Sequence, residues 1–167
     1  MRRRTWLLGL IVFVLLCDQA TKVVARAQLR NRAPRDCGIL TLVYTENSGA
    51  FLSLGEGLPR LARRVVFDGL VTIGIAMAAW FLLTGRVHGR GDDVALALIV
   101  AGGIGNLIDR LRFGGYVTDF IYLHAWRLHT GVFNVADMAI TAGVLWLLLA
   151  WVAPKRGAPR ASHHHEG

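Results

Sequence analysis

Four stretches of this chain are long and apolar enough to cross a bilayer, and that constrains the fold more than any other feature. They run from about Trp6 to Ala25, Val65 to Thr84, Val94 to Leu111 and Phe133 to Val152. A hydrocarbon core of about 30 Å needs roughly 20 apolar residues of helix. Within that core every backbone N–H and C=O must be satisfied, so each stretch is expected to be a helix. Asp68 alone interrupts the second, and Pro154 and Gly157 stop the last. Four spans return both termini to one side. A length of 167 residues allows one domain, read here as residues 1–167 with a polar tail over 154–167.

Composition agrees. The chain is 54% hydrophobic with a mean hydropathy of +0.45, too apolar for a water-soluble domain with a polar surface. It nevertheless carries 19 Lys and Arg against 11 Asp and Glu, a net charge of +8. An apolar body with a basic fringe fits an integral membrane protein touching anionic lipid. The charges lie between the apolar blocks rather than along one face, which argues against a nucleic-acid partner. Arg2, Arg3 and Arg4 precede the first span and favour termini inside. The count over the remaining loops does not, because Arg26, Arg30, Arg32, Arg35, Arg60, Arg63 and Arg64 share the opposite side. Charge alone leaves the orientation open.

Three local features have plain readings. Met1 to Cys17 has the outline of a secretory signal, but Leu16 is bulky where a small residue is needed and the apolar pattern continues past it. It reads as a retained span. Cys17 and Cys37 have no metal spacing and are too few for a disulfide framework, so they read as unpaired thiols. His163 to His165 lie in a polar tail and read as a solvated end.

Between the first two spans the pattern changes. Ile39-Leu-Thr-Leu-Val-Tyr-Thr45 is rich in β-branched and aromatic residues and predicts a strand. Glu46-Asn-Ser-Gly49 has turn composition, and Ala50-Phe-Leu-Ser-Leu54 reads as a returning strand. Tyr116 to Leu123 is a third candidate strand. Both pieces fall on the same side of the membrane, so a small sheet of about 37–54 plus 116–123 is expected over the helix ends.

Charged and amide residues are expensive near hydrocarbon, and here they cluster. Asp119 and Asp137 lie within or beside apolar sequence, where an unpaired carboxylate costs roughly 2.5–3.5 kcal/mol or more. Each has a bland explanation: Asp137 in the first turn of the fourth helix, Asp119 in a wet loop. Together with Asn106, Asp109, Arg110 and Asn134 at the same membrane end, they point to a site. Two carboxylates that meet can share one proton, the chemistry of aspartic proteases. Asp18 and Lys22 are spaced i, i+4 with the acid first, a self-neutralising pair with a supporting role. Gly102, Asn106 and Asp109 with Arg110 share a helix face, the glycine permitting close packing. Asn106 and Arg110 suit an extended peptide backbone, with Asp109 orienting Arg110. Asn47 reads as capping its own turn. Asn134, three residues before Asp137, reads as a helix cap or a brace for that carboxylate.

Five blocks in order resemble one family, the bacterial lipoprotein signal peptidase (signal peptidase II). They are Asp18-Gln-Ala-Thr-Lys22, Asn47-Ser-Gly-Ala-Phe51, Gly102-Gly-Ile-Gly-Asn-Leu-Ile-Asp-Arg110, Val117-Thr-Asp-Phe120 and Phe133-Asn-Val-Ala-Asp137. The resemblance implies an all-α membrane protein: a four-transmembrane-helix bundle with a small extracytoplasmic β-cradle and a short amphipathic helix, the latter within Gly114–Gly131 near Trp126. It implies a multi-pass protein of the bacterial cytoplasmic (inner) membrane, with both termini cytoplasmic and the active site facing outward. The implied reaction removes the signal peptide of a prolipoprotein by cutting before its S-diacylglyceryl cysteine. Asp119 and Asp137 match the catalytic pair; Asn47, Asn106, Arg110 and Asn134 match polar residues around the substrate. Asp18, Lys22, Gly102 and Asp109 match supporting positions. Diacylglyceryl-modified prolipoproteins and membrane lipids are the implied partners, the antibiotic globomycin the implied inhibitor, and no metal or other cofactor is called for.

The competing class is a proton-coupled transporter or channel, since intramembrane Asp, Lys and Arg also build proton relays. Four spans leave little room for an alternating-access core, and the two halves show no inverted repeat. A non-catalytic assembly factor would tolerate loss of both aspartates. Among membrane proteases, the Gly-x-Gly-Asp type differs in that the glycines here precede Asn106.

Overall fold

Small residues decide which helix lies at the centre of the molecule. The computed structural model describes residues 2–48, 59–86 and 89–152. Within them the order is α1 (Arg2–Leu29), β1 (Arg35–Cys37), β2 (Leu40–Asn47), α2 (Arg60–Thr84), α3 (Arg90–Arg112), β3 (Val117–Ala125), β4 (Leu128–His129) and α4 (Val135–Val152). The protein is therefore mostly helical with a small antiparallel sheet. By length and composition α1, α3 and α4 are able to cross a membrane, and α2 carries a shorter apolar run over Asp68–Thr84.

In α3, 56% of the apolar window is buried, against 17% in α1 and in α4. α3 packs against all three other helices. Its glycines explain how. A Cβ at Gly102 would strike the Ala136 carbonyl of α4, one at Gly103 would lie 2.5 Å from Ile75 of α2, and one at Gly105 would lie 2.6 Å from Asp18 of α1. Three glycines within four residues thus each admit a different neighbour, the close approach on which membrane helix packing relies. The outer faces keep Leu8, Val12, Phe13 and Leu16 of α1, Ile73 and Met77 of α2, and Leu145, Leu148 and Leu149 of α4 exposed. Such a surface suits lipid rather than water.

A substitution follows directly. Gly102→Ala drives a methyl into the α4 backbone and is expected to destabilise the protein by about 1–3 kcal/mol. Gly74→Ala on α2 meets open space and is expected to be neutral or slightly stabilising. Thermal denaturation of both variants in detergent checks the contrast; equal melting temperatures would mean the helices part without cost.

The helix ends direct the chain into the sheet. α1 stops at Asn31, which adopts a left-handed φ of 61°, and the Arg32 N–H closes onto the Leu29 carbonyl. α3 stops at Gly114 and Gly115, with φ of 70° and 97°, a conformation open to glycine. That reversal lays β3 back over the bundle. All strand pairs are antiparallel in the order β1-β2-β3-β4. Thr45 lies opposite Asp119 and Asn47 opposite Val117, with an irregularity between Leu42 and Thr45.

Several expectations shift. Glu46 and Asn47 continue strand β2 instead of turning, and the hairpin partner preceding it is β1. The returning strand at 50–54 and the tail at 154–167 lie outside the described residues. The amphipathic helix expected within Gly114–Gly131 is not there: β3 and β4 form a hairpin with Trp126 and Arg127 at its tip. Val117, Thr118, Phe120, Ile121 and Tyr122 favour extended backbone, and β2 offers an edge that satisfies it. α4 begins at Val135 rather than Phe133, because Phe133 is held in a β-bridge to Ile121.

Candidate active site

The Ile121–Phe133 bridge builds the site. The Phe133 N–H donates to the Ile121 carbonyl at 2.9 Å, and the Phe133 carbonyl accepts from Phe120 and Ile121. The next residue, Asn134, is thereby set against Asp119 on the neighbouring strand. Its Nδ2 donates to Asp119 Oδ1 at 2.6 Å and to Asn106 Oδ1 of α3 at 3.2 Å. From the other side of the carboxylate, Asn47 Nδ2 donates to Asp119 Oδ2 at 2.9 Å. Asn47 faces Asp119 diagonally across the β2–β3 pair, within reach of a polar side chain. Its expected role as a turn cap is replaced by this contact, since the strand runs through it.

Asp137 is held at the start of α4. The Asp137 N–H donates to Asn134 Oδ1 at 3.0 Å, and the Asn134 N–H donates to Asp137 Oδ2 at 3.1 Å, a reciprocal cap. Asn106 Nδ2 completes the set, donating to Asp137 Oδ1 at 2.8 Å. The two carboxylates are therefore joined through two amides, Asp119–Asn134–Asn106–Asp137. Both expected roles of Asn134, cap and brace, are met by one side chain. Asn134 is fully buried and Asn106 nearly so, so both amides face protein groups.

Beneath this lies a buried ionic layer. Lys22 is fully buried, with its Nζ 3.0 Å from Asp18, 3.7 Å from Asp109 and 2.8 Å from Asn106 Oδ1. Lysine only donates, so it fixes the Asn106 carbonyl towards itself and the amide NH₂ towards Asp137. Asp18 accepts the Ala136 N–H at 2.9 Å, tying α1 to the first turn of α4. Asp109 accepts the Thr118 N–H at 2.9 Å, tying α3 to β3 beside Asp119. Arg26 reaches Asp109 at 3.5 Å, donates to Thr118 Oγ1 at 2.8 Å and stacks over Phe113. Gln19 donates to Asp18 and to the Gly105 carbonyl. The sequence reading gives Arg26, Gln19 and Thr118 no role in the site. Arg26 was findable, since it follows Lys22 by one helical turn and so shares its face.

Arg110 departs from expectation. Asp109 does not orient it, because consecutive helical residues point about 100° apart and Asp109 faces α1 and β3. Arg110 Nε instead pairs with Asp68 of α2 at 3.3 Å. Asp68, read from sequence only as an interruption, is thus the partner of Arg110.

The setting alters Asp119. Burial pushes its carboxyl up from 3.8 to about 6. The negative charge of Asp137 acts in the same direction, while the Asn47 and Asn134 amides and the Lys22 charge oppose it. A carboxyl that keeps its proton up to about pH 6, beside a second carboxylate, has the makings of an acid–base pair.

Comparison with known proteins is consistent across the chain. The family model described as Signal peptidase (SPase) II matches residues 10–153. Lipoprotein signal peptidases of Syntrophus aciditrophicus and Syntrophotalea carbinolica are 36% and 38% identical, each alignment covering 86% of this chain and 89% of the relative. That of Burkholderia cenocepacia is 37% identical over 90% of each chain. A solved bacterial membrane enzyme superposes with a TM-score of 0.77 at 24% identity, over 90% of this chain and 95% of that one.

Proposed function

The chain belongs to the signal peptidase II family, and from that premise we propose that Asp119 and Asp137 are the catalytic pair of a membrane aspartic endopeptidase. It removes signal peptides from prolipoproteins. The observation that carries the assignment of the pair is the amide chain Asp119–Asn134–Asn106–Asp137 at one end of an apolar bundle. Such a chain holds the two carboxylates in fixed orientations.

The steps balance with one shared proton. Asp137, held at the start of α4 by the Asn106 Nδ2 and Asn134 N–H donors, takes a proton from water. The hydroxide equivalent attacks the scissile carbonyl, which Asp119 polarises through its own proton. The tetrahedral species then collapses as the proton held by Asp137 passes to the leaving amine. The cut falls just before the S-diacylglyceryl cysteine. Asn47 and Arg110 line the edge of the site and contact the peptide; Asn106 and Asn134 act there mainly by holding the carboxylates. Asp18, Lys22, Gly102 and Asp109 support them. All four helices cross the bacterial inner membrane as one unit, with both termini cytoplasmic, the sheet outside and the acyl chains of the substrate in lipid. Globomycin blocks the site.

The pH dependence has a definite sign. The competent free enzyme carries a proton on Asp119, which is lost as pH rises through about 6. Accordingly kcat/KM, which reports the free enzyme, falls above that pH, approaching tenfold per unit. Asn47→Ala removes a donor that favours the charged form, so the falling limb moves to higher pH. A profile flat from pH 5 to 8 (roughly the range that brackets this titration), or a limb that moves downward in Asn47→Ala, would remove the proton from Asp119.

A further inference from the structure

On the flank of the molecule away from the paired aspartates, α1 and the sheet enclose a groove that the proteolytic reading leaves unused. It has a volume of about 270 Å³ and is lined by Thr21, Val24, Ala25, Gln28, Leu29, Arg35, Leu42 and Phe120. Phe120 follows Asp119 on β3, so its side chain leaves the opposite face of the sheet. Ala25, Leu29 and Phe120 are buried and form the floor. The Thr21 hydroxyl donates back to the Cys17 and Asp18 carbonyls, so it asks nothing of a ligand. The remaining surface is almost wholly apolar, and it opens beside Val23 and Val24, both more than half exposed on the lipid-facing side of α1. Water is a poor occupant for such a wall.

Its rim is basic. The segment after α1 carries Arg30, Arg32 and Arg35. Arg30 is paired with Glu46, and Arg26 is taken up by Asp109 and Thr118. Arg32 reaches the Gln28 amide at 3.4 Å, and among the described residues neither Arg32 nor Arg35 has a carboxylate within ion-pair distance. An apolar slot beside the lipid-facing side of α1, with Arg35 in its lining and Arg32 next to it on Gln28, neither paired with a carboxylate among the described residues, matches a molecule with a hydrocarbon chain and an anionic head. Guanidinium is the side-chain group best suited to phosphate. The volume lies just below the roughly 300–1,000 Å³ of a whole-ligand pocket, which fits a segment of one acyl chain with the headgroup outside.

We infer that this groove is a binding site for an anionic phospholipid of the outer leaflet, its acyl chain against Phe120 and Leu42 and its phosphate on Arg35 and Arg32. The site is independent of the catalytic chemistry. It rests on α1 lying in lipid and, for the choice of leaflet, on the proposed orientation with the sheet outside, and proteolysis does not depend on it for chemistry. A lipid seated there braces the back of the strand that carries Asp119.

Native mass spectrometry of the full chain tests it. The protein is released from detergent supplemented with phosphatidylglycerol or phosphatidylcholine and its retained lipids are counted. The expected result is one phosphatidylglycerol retained in preference to phosphatidylcholine, with affinity reduced on the order of tenfold or more in Arg32→Gln/Arg35→Gln. Leu42→Trp, which fills the groove while leaving the arginines, is expected to displace the lipid as well. Arg112→Gln, at the end of α3, serves as the charge control and is expected to retain it. Glycerol phosphate, which has the head without the chain, is expected not to compete. Equal retention of both lipids, unchanged retention in the double variant, or competition by glycerol phosphate would each overturn the site. A rise in KM for prolipoprotein with lipid retention unchanged would give the groove to the substrate's own chains and would overturn it too.

Discussion

Asp119→Asn and Asp137→Asn each yield a folded protein that no longer cuts a prolipoprotein, with kcat reduced by at least about 10³-fold. The substitution keeps shape and size but removes, in the first case, the proton that polarises the carbonyl and, in the second, the base that activates water. Folding survives because Asn keeps the size of Asp and one acceptor oxygen. Asn106 and Asn134 are held with their NH₂ groups towards the pair, so the new NH₂ faces a donor and one hydrogen bond is lost. Both variants should therefore still fold, at a cost of about 1–3 kcal/mol, while progress curves stay flat. Because the two groups act as a unit, the double variant should lose little more than either single one. Appreciable turnover by folded Asp119→Asn would remove this residue from the chemistry and leave the amide chain as a packing device.

Lys22→Met has the largest expected effect on stability. Lys22 is fully buried between two fully buried carboxylates, Asp18 and Asp109. Breaking a buried ion pair by removing one partner costs about 3–5 kcal/mol, because the other charge is left uncompensated. Here two are left, and among the described residues Arg26 is the one other cation within ion-pair reach of either, at Asp109. Each of those carboxylates also accepts a backbone N–H from an element that carries one of the paired aspartates, Ala136 in α4 beside Asp137 and Thr118 in β3 beside Asp119. The loss therefore reaches the site as well as the fold. Lys22→Met should express poorly or melt far below wild type. Lys22→Met combined with Asp18→Asn should recover part of the loss by removing one stranded charge. Chemical denaturation in detergent reads both, and a wild-type midpoint for the single variant would show that water reaches the layer.

How much of this was legible in the residues differs by level. The helices were legible because a 20-residue apolar run has few alternatives, and β2 and β3 because their β-branched and aromatic content departs sharply from the spans around them. The Asp18–Lys22 pair follows from i, i+4 spacing, which is local. The contacts that were missed are long-range. Nothing local says that Asn47 crosses 72 positions to Asp119, or that Asp68 rather than Asp109 meets Arg110. Asp109 and Arg110 are adjacent in sequence, and adjacency misled, since a helix points neighbours apart. The β3–β4 hairpin was hidden for a different reason. Trp126 adopts a left-handed φ of 56° at its tip, an uncommon conformation for a bulky residue that composition does not announce. The Gly102, Gly103 and Gly105 spacing declared close packing, but only the fold tells which helix meets which glycine.

The central claim is that this membrane end is a peptidase site for lipid-modified precursors. The most direct test incubates the purified full chain with a diacylglyceryl-modified prolipoprotein and its unmodified counterpart, and locates any cut by mass spectrometry. The account predicts release of the signal peptide by a single cut immediately before the lipid-modified cysteine, with the unmodified precursor left intact. A folded protein that leaves the lipidated precursor whole, or that cuts it elsewhere, would contradict it.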